Sequence, residues 1–305
     1  MERALRNRLT FGPIMLGILI ALLWLDYKIQ IWTTGSLGVL PRTQGMAGVG
    51  LLTLLLIVLP IATHELATLF AAERITPYRF IAVAGSWSLA IHAFLTQFPT
   101  FQPISASSLA FIIVFVMIFA ALRRAIGRQS QQAIAHMAGT VLATLYLGGL
   151  AWFLIALRVK QSVRDSGFHG STMIILMILL VVKFTDIGAF FGGRAFGRHK
   201  LIPWLSPGKT WEGLFFGLFT AAVVGAICAP WINQPHYRLL WWQGFIFGAV
   251  IGGIGQLGDL LESLMKRDAE VKDSGQLVPG FGGILDIIDS PLLAAPFAYL
   301  LFSLF

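Results

Sequence analysis

The chain of 305 residues holds a single cysteine, Cys228, and only 12% of it is charged. One thiol excludes an intrachain disulfide and a cysteine-based metal site. A soluble chain is about 25% charged and about 45–50% apolar, whereas 57% of this one is hydrophobic. Polar surface is too scarce to cover a water-soluble globule, and apolar surface too plentiful for disorder. Acids are scarcest, 14 against 22 Lys and Arg, and nine of the 14 lie between Asp186 and Asp289. Several familiar motifs are also missing. No serine-hydrolase elbow occurs. His64-Glu65 lacks the second histidine of a zinc-protease helix, since position 68 is threonine, and the six histidines are scattered. Gly208-Lys209-Thr210 looks like the end of a P-loop, but Pro203 stands where that loop needs glycine. There is no internal repeat and no low-complexity tract.

What is there is a series of apolar runs. A membrane span needs about 20 mostly apolar residues. Nine stretches qualify: roughly 9–25, 46–63, 79–96, 105–122, 134–157, 170–190, 212–232, 241–265 and 284–305. The expected fold is therefore an all-α polytopic membrane protein of about nine transmembrane helices. The first run follows Arg3, Arg6 and Arg8 and reads as an uncleaved span with Thr10 and Asp26 near its two interfaces. With the N-terminus inside, fifteen Lys and Arg fall in inner segments and six in outer ones, among them Arg158, Arg164 and Arg238. That bias predicts a cytoplasmic N-terminus in the inner membrane. The polar loops 191–211 and 266–283 then both face the cytoplasm. Residues 1–180 read as ordinary membrane helices, and 181–305 as the functional region with two motif loops.

Three stretches carry chemistry. In the eighth span Gly248, Gly252, Gly255 and Asp259 share one helical face, continued by Glu262, Ser263 and Lys266. Glycines let another helix approach closely. A carboxylate on that face points into the bundle and needs a partner, either a bound ion or a lysine such as Lys266 or Lys272. Asp286 and Asp289, three apart, project from one face of a helix expected to start near Ile284. Carboxylates at Asp259, Asp286 and Asp289, with no His or Cys among them, suit one or two Mg²⁺ ions; the alternative is that these acids offset the loop lysines. The loop from Asp186 through Arg194 to Ser206, Lys209, Thr210 and Glu212 offers cations, a hydroxyl and glycine amides that can hold phosphates. Its alternative is contact with anionic lipid. Glu65, within the second span, needs an interior partner. Lys183 either snorkels or pairs with Asp186.

These stretches resemble the phosphatidate cytidylyltransferase (CDP-diacylglycerol synthase) family. The family signature stands here as Ser263-Leu-Met-Lys266-Arg267, Lys272-Asp273-Ser274-Gly275, Pro279-Gly280-Phe281-Gly282-Gly283 and Asp286-Ile-Ile-Asp289. The stretch from Asp186 to Gly213 is similar to the family's second motif. The resemblance implies transfer of CMP from CTP to phosphatidate for phospholipid synthesis. It implies Asp259, Lys272, Asp273, Asp286 and Asp289 as catalytic. Asp186, Arg194, Ser206, Lys209, Thr210, Glu212, Lys266, Arg267, Gly282 and Gly283 would bind substrate. It also suggests a homodimer, and no nucleic-acid partner is expected. Phe281 replaces the signature histidine and Ile287 its arginine. A catalytically altered or inactive relative is therefore one alternative, and a secondary transporter another.

Overall fold

The structure, a computed structural model, describes residues 2–42, 44–128, 130–164, 170–232 and 239–304, and for residues 2–9, 161–164 and 170 the backbone alone. Arg238 lies outside the described residues, as do the side chains of Arg3, Arg6, Arg8 and Arg164. The chain divides into two compact units, Met1–Lys160 with Asp268–Ile287, and Gln161–Arg267 with Ile288–Phe305.

The helices are α1 (Glu2–Thr33), α2 (Val49–Ala72), α3 (Arg79–Leu95), α4 (Ser105–Ile126), α5 (Ala133–Thr144), α6 (Leu150–Arg164), α7 (Gly170–Phe196), α8 (Trp211–Cys228), α9 (Trp241–Asp268) and α10 (Leu285–Leu304). A π-helical turn, Leu145–Gly149, joins α5 to α6. Between α7 and α8 lies a short antiparallel hairpin, β1 (Lys200–Ile202) with β2 (Ser206–Thr210), in which Lys200 pairs with Thr210. All-α polytopic architecture is thus observed. Eight spans among the described residues are long and apolar enough to cross a membrane, counting α5 through α6 as one. The expected span not among them is the third, 79–96, whose helix α3 has 17 residues. That is about 26 Å at 1.5 Å per residue, short of a hydrocarbon core of about 30 Å.

In the first unit α2 buries a stripe of Leu51, Leu55, Leu59, Leu66 and Leu69, each at most 4% exposed. The three- and four-residue steps keep these leucines on one helical face. Two expectations fail in this unit, for one reason. Asp26 does not mark the end of its helix, and Arg158 does not lie in a loop. The α1 helix runs on to Thr33, and Arg158 lies within α6. Arg158 Nε meets Asp26 Oδ2 at 2.8 Å with both side chains fully buried. Gln30 Oε1 accepts from Arg158 Nη2 at 2.7 Å, and Gly50 N donates to Asp26 Oδ1 at 3.0 Å. A buried ion costs several kcal/mol unless its hydrogen bonds are made. Here they are made by α1, α2 and α6 together, so the pair fixes three helices at one point.

In the second unit backbone proximity replaces leucine packing. A Cβ at Gly248 of α9 would lie 2.2 Å from Ala221 O of α8. Only glycine permits that approach. The steps Gly188–Gly192 and Gly213–Gly217 likewise lie at the α7–α8 contact. Phe247 and Phe302, 4.8 Å apart between ring centroids, fill the space between α9 and α10. The rigid frame so formed holds the polar groups described next.

Candidate functional site

Three carboxylates of the second unit converge. Asp259 and Glu262 are three apart on α9, hence on one face, and Asp289 comes from α10. One oxygen of each lies within 4.8 Å of the others. Gly258 makes this convergence possible: a Cβ there would come within 2.9 Å of Ser290 Cα and 3.2 Å of Asp289 O. Glu262 is 1% exposed and Asp289 3%, whereas the Asp259 side chain is 38% exposed. Acids this close repel one another unless cations intervene. Two lysines do so. Lys209 Nζ meets Asp259 Oδ2 at 2.6 Å, and Lys266 Nζ meets Glu262 Oε2 at 3.1 Å. The lysine on Asp259 is thus Lys209, a partner other than Lys266 or Lys272, the two that spacing offered as alternatives to an ion. Asp186 of α7 accepts from Gln256 Nε2 of α9 at 2.7 Å, rather than closing an i, i+3 pair with Lys183. Lys183 still adds positive potential at both Asp186 and Asp289.

The hairpin between α7 and α8 aims Lys209. Thr210 caps α8, its hydroxyl accepting from Gly213 N at 3.1 Å. Glu212 Oε2 accepts from the backbone amides of Arg198 and His199 at 3.1 and 3.2 Å, and His199 Nδ1 lies 2.6 Å from Glu212 Oε1. Trp211 N donates to His199 O. Lys200 Nζ donates to Pro207 O at 2.7 Å, and Arg267 Nε to Leu205 O at 3.3 Å. A strand, β1, precedes Gly208-Lys209-Thr210, but the tripeptide lies on its partner β2 rather than in a phosphate loop. Thr210, Glu212 and Arg267, expected at the substrate, thus make internal contacts that build the hairpin. Arg194 is exposed in the last turn of α7, beyond the expected end of that span, and Ser206 is half-buried.

The other motif residues form a separate construction in the first unit. Glu65, on α2 and 7% exposed, reaches the start of α10. Its Oε1 accepts from Ile284 N at 3.0 Å and its Oε2 from Leu285 N at 2.8 Å. This is an N-cap supplied by another helix, and it satisfies amides that a helix start leaves open. Asp286 Oδ2 accepts from Ser274 N at 3.1 Å and from Gly283 N at 2.8 Å, with Ser274 Oγ at 2.9 Å. Two signature glycines follow from these contacts. Gly282 has φ +97°, and a Cβ there would lie 2.6 Å from Asp286 Oδ2; at Gly283 it would lie 2.3 Å from Ser274 Oγ and 2.5 Å from Glu65 Oε2. Lys272 and Asp273 are exposed on this loop.

Of the three acids expected to hold metal, the structure brings together Asp259 and Asp289 and places Asp286 with the loop. Glu262 completes the group instead. The expectation passed over it, although it stands three residues after Asp259 and four before Lys266. Gln256, one turn before Asp259, was also missed; an amide inside an apolar span was the available signal. The donor set fits a hard divalent cation: oxygen only, acid-rich, and largely shielded from water.

A set of apolar helices with an oxygen-only acid cluster and attendant lysines defines a membrane protein whose acids could hold a divalent cation. The Cytidylyltransferase family profile matches residues 27–305. The chain is 30% identical over 264 residues to a phosphatidate cytidylyltransferase of Synechocystis, covering 80% of this chain and 85% of that protein. It is 44% identical over 145 residues to the phosphatidate cytidylyltransferase of Haemophilus influenzae, 47% and 50% of the two chains. Against that of Bacillus subtilis it is 39% identical over 166 residues, 54% and 57%. The matched part thus spans about half the length of the Haemophilus and Bacillus proteins. The chain belongs to the cytidylyltransferase family, a class for which a divalent metal is expected. That membership disfavours the transporter reading.

Proposed function

We propose that this protein transfers CMP from CTP to phosphatidate, giving CDP-diacylglycerol and pyrophosphate. The observation that carries the reading is the convergence of Asp259, Glu262 and Asp289 beside Lys209 and Lys266. Family membership and the names of the relatives support it. The reaction forms a bond from a phosphatidate oxygen to the α-phosphorus of CTP and breaks the bond to the β-phosphate. The nucleophile is a phosphate monoester whose second pKa is about 6, so it arrives largely deprotonated and needs no general base. The chain has only to position the reactants and neutralise charge.

Asp259, Glu262 and Asp289 would hold Mg²⁺, one ion or two. Bound there, Mg²⁺ supplies Lewis-acid stabilisation of charge on the phosphate oxygens. Lys209 and Lys266 already sit on the cluster's carboxylates. Exchanging those for phosphate oxygens places a cation on the leaving pyrophosphate. Asp186, Arg194 and Ser206 flank the nucleotide in this reading. Lys272 and Asp273 keep the role that the motif resemblance implies. For Asp286, Gly282 and Gly283 we propose positioning of their loop, and for Thr210, Glu212 and Arg267 positioning of the hairpin. The cluster faces the cytoplasm, where CTP is found, and the chain sits in the inner membrane as a homodimer.

The test is purified protein with labelled CTP, phosphatidate and Mg²⁺. CDP-diacylglycerol and pyrophosphate are expected in equal amounts. No lipid product with any divalent metal overturns the reading.

A further inference from the structure

A second feature lies in the first unit and uses none of the residues assigned above. A groove of about 430 Å³ runs between α3 and α4. Its walls are Phe80, Ala84 and Ser88 on one side and Ile112, Phe115 and Phe119 on the other. Its floor is Gly85, where a Cβ would lie 2.6 Å from Val116 Cγ2. The volume falls in the range of about 300–1,000 Å³ typical of ligand sites. The one polar wall residue, Ser88, spends its hydroxyl on Ala84 O at 2.8 Å. The groove therefore offers an occupant no free donor, its lining is otherwise apolar, and it suits hydrocarbon. From Phe80 to Ser88 it is about 12 Å long at 1.5 Å per residue, close to one leaflet of a hydrocarbon core of about 30 Å.

One end is cationic. His92, near the end of α3, meets Ser105 O and Ser108 Oγ at the start of α4, and Gly85 packs on Val116 further along, so the helices run antiparallel and the start of α3 and the last turn of α4 lie at the same end. Arg79 is the first residue of α3, and Arg123 is in that last turn. Both are exposed. Arg79 Nη1 lies 2.8 Å from His64 Nδ1 of α2, which orients the guanidinium. A groove for a chain with two guanidinium groups at its mouth has the shape of a phospholipid with a negative headgroup.

We propose that the α3–α4 groove holds one resident anionic phospholipid of the bilayer, acyl chain along Phe80–Phe119 and phosphate at Arg79 and Arg123. Lipid tails are as apolar as the groove, so the chain supplies fit and little net drive. Selectivity comes from the arginines, each contributing roughly a fivefold preference at a membrane surface. The expected preference for an anionic over a zwitterionic lipid is thus about twenty- to thirtyfold.

The test is native mass spectrometry of the full chain released from nanodiscs of phosphatidylethanolamine, phosphatidylglycerol and phosphatidate. Wild type should retain one phosphatidylglycerol at that preference, and the double variant Arg79→Ala/Arg123→Ala should lose it at unchanged Tm. Ala84→Phe, which fills the groove, should remove the bound lipid altogether. Should Ala84→Phe fail to fold, the arginine variant still decides, because both its sites are exposed. Equal retention of both headgroups, or unchanged retention by the double variant, overturns the proposal. Retention of phosphatidate alone makes the groove a substrate site and overturns it too. So does crosslinking between two copies through Phe80→Cys, which assigns the groove to a second chain.

Discussion

Two sets of acids, one in each unit, are built on opposite principles. In the first unit Glu65 and Asp286 face backbone amides: Ile284 and Leu285 for one, Ser274 and Gly283 for the other. Each carboxylate is committed to the chain's own donors and shapes a loop. In the second unit Asp259, Glu262 and Asp289 face one another, and lysines approach from outside. An arrangement of like charges gains nothing as architecture. It is worth its electrostatic cost only where a cation or a phosphate–cation pair completes it. On the proposed function, the partner of a carboxylate, more than its burial or its place in a motif, separates the group that does chemistry from the group that holds shape.

The strongest way to break this distinction is Asp289→Asn. The substitution keeps the shape and removes a charge from the cluster. Turnover of CTP with phosphatidate should fall by about a hundredfold or more, the scale of losing one preorganised electrostatic contact. The Mg²⁺ concentration for half-maximal activity should rise as well. Turnover within about threefold of wild type, on a scale where tenfold is 1.4 kcal/mol, would leave the cluster without a function.

How much of this was legible beforehand depended on whether the signal was local. Helix positions came from runs of apolar residues, and the start of α10 near Ile284 followed from the length a span needs. Asp259 stood out because Gly248, Gly252 and Gly255 mark the same face. The ends of helices were less readable. Asp26 and Arg158 looked like punctuation, because nothing in sequence pairs residues 132 positions apart. The division of labour between Asp286 and Asp289 was hidden for a related reason. Three residues apart on one helix, they read as a pair, yet Asp286 lies at the first turn where loop amides are open. Glu65 needed a partner that only the fold supplies, more than two hundred residues downstream.

The first unit gives the next test. Gly283→Ala pushes a methyl against Ser274 Oγ and Glu65 Oε2, and overpacking of this kind costs about 1–3 kcal/mol. Glu65→Gln sets an amide nitrogen against one of the two backbone N–H donors and leaves that donor unsatisfied, again about 1–3 kcal/mol. Both should lower Tm and speed hydrogen exchange in residues 271–286, with Gly283→Ala at the upper end. Activity should recover on cooling, and the Mg²⁺ midpoint should stay at the wild-type value. A shifted midpoint would place these acids with the cluster and erase the contrast.

The smallest expected effect is the most discriminating, because it separates partner from location. Glu212 lies in the second unit and in a motif expected to touch substrate, yet its oxygens accept from Arg198 N and His199 N. By the partner criterion it belongs with Glu65, as a brace for the hairpin that carries Lys209. Glu212→Gln keeps one accepting oxygen and loses only charge at an exposed contact with His199, a kind of interaction worth little in water. The KM for CTP should rise by no more than about threefold, with kcat nearly unchanged, because Lys209 is less firmly aimed while the acids of the cluster are intact. Lys209→Ala, in contrast, should lower kcat. A kcat loss for Glu212→Gln as large as that for Lys209→Ala would mean that location, and not the hydrogen-bond partner, decides which acids act on the substrate.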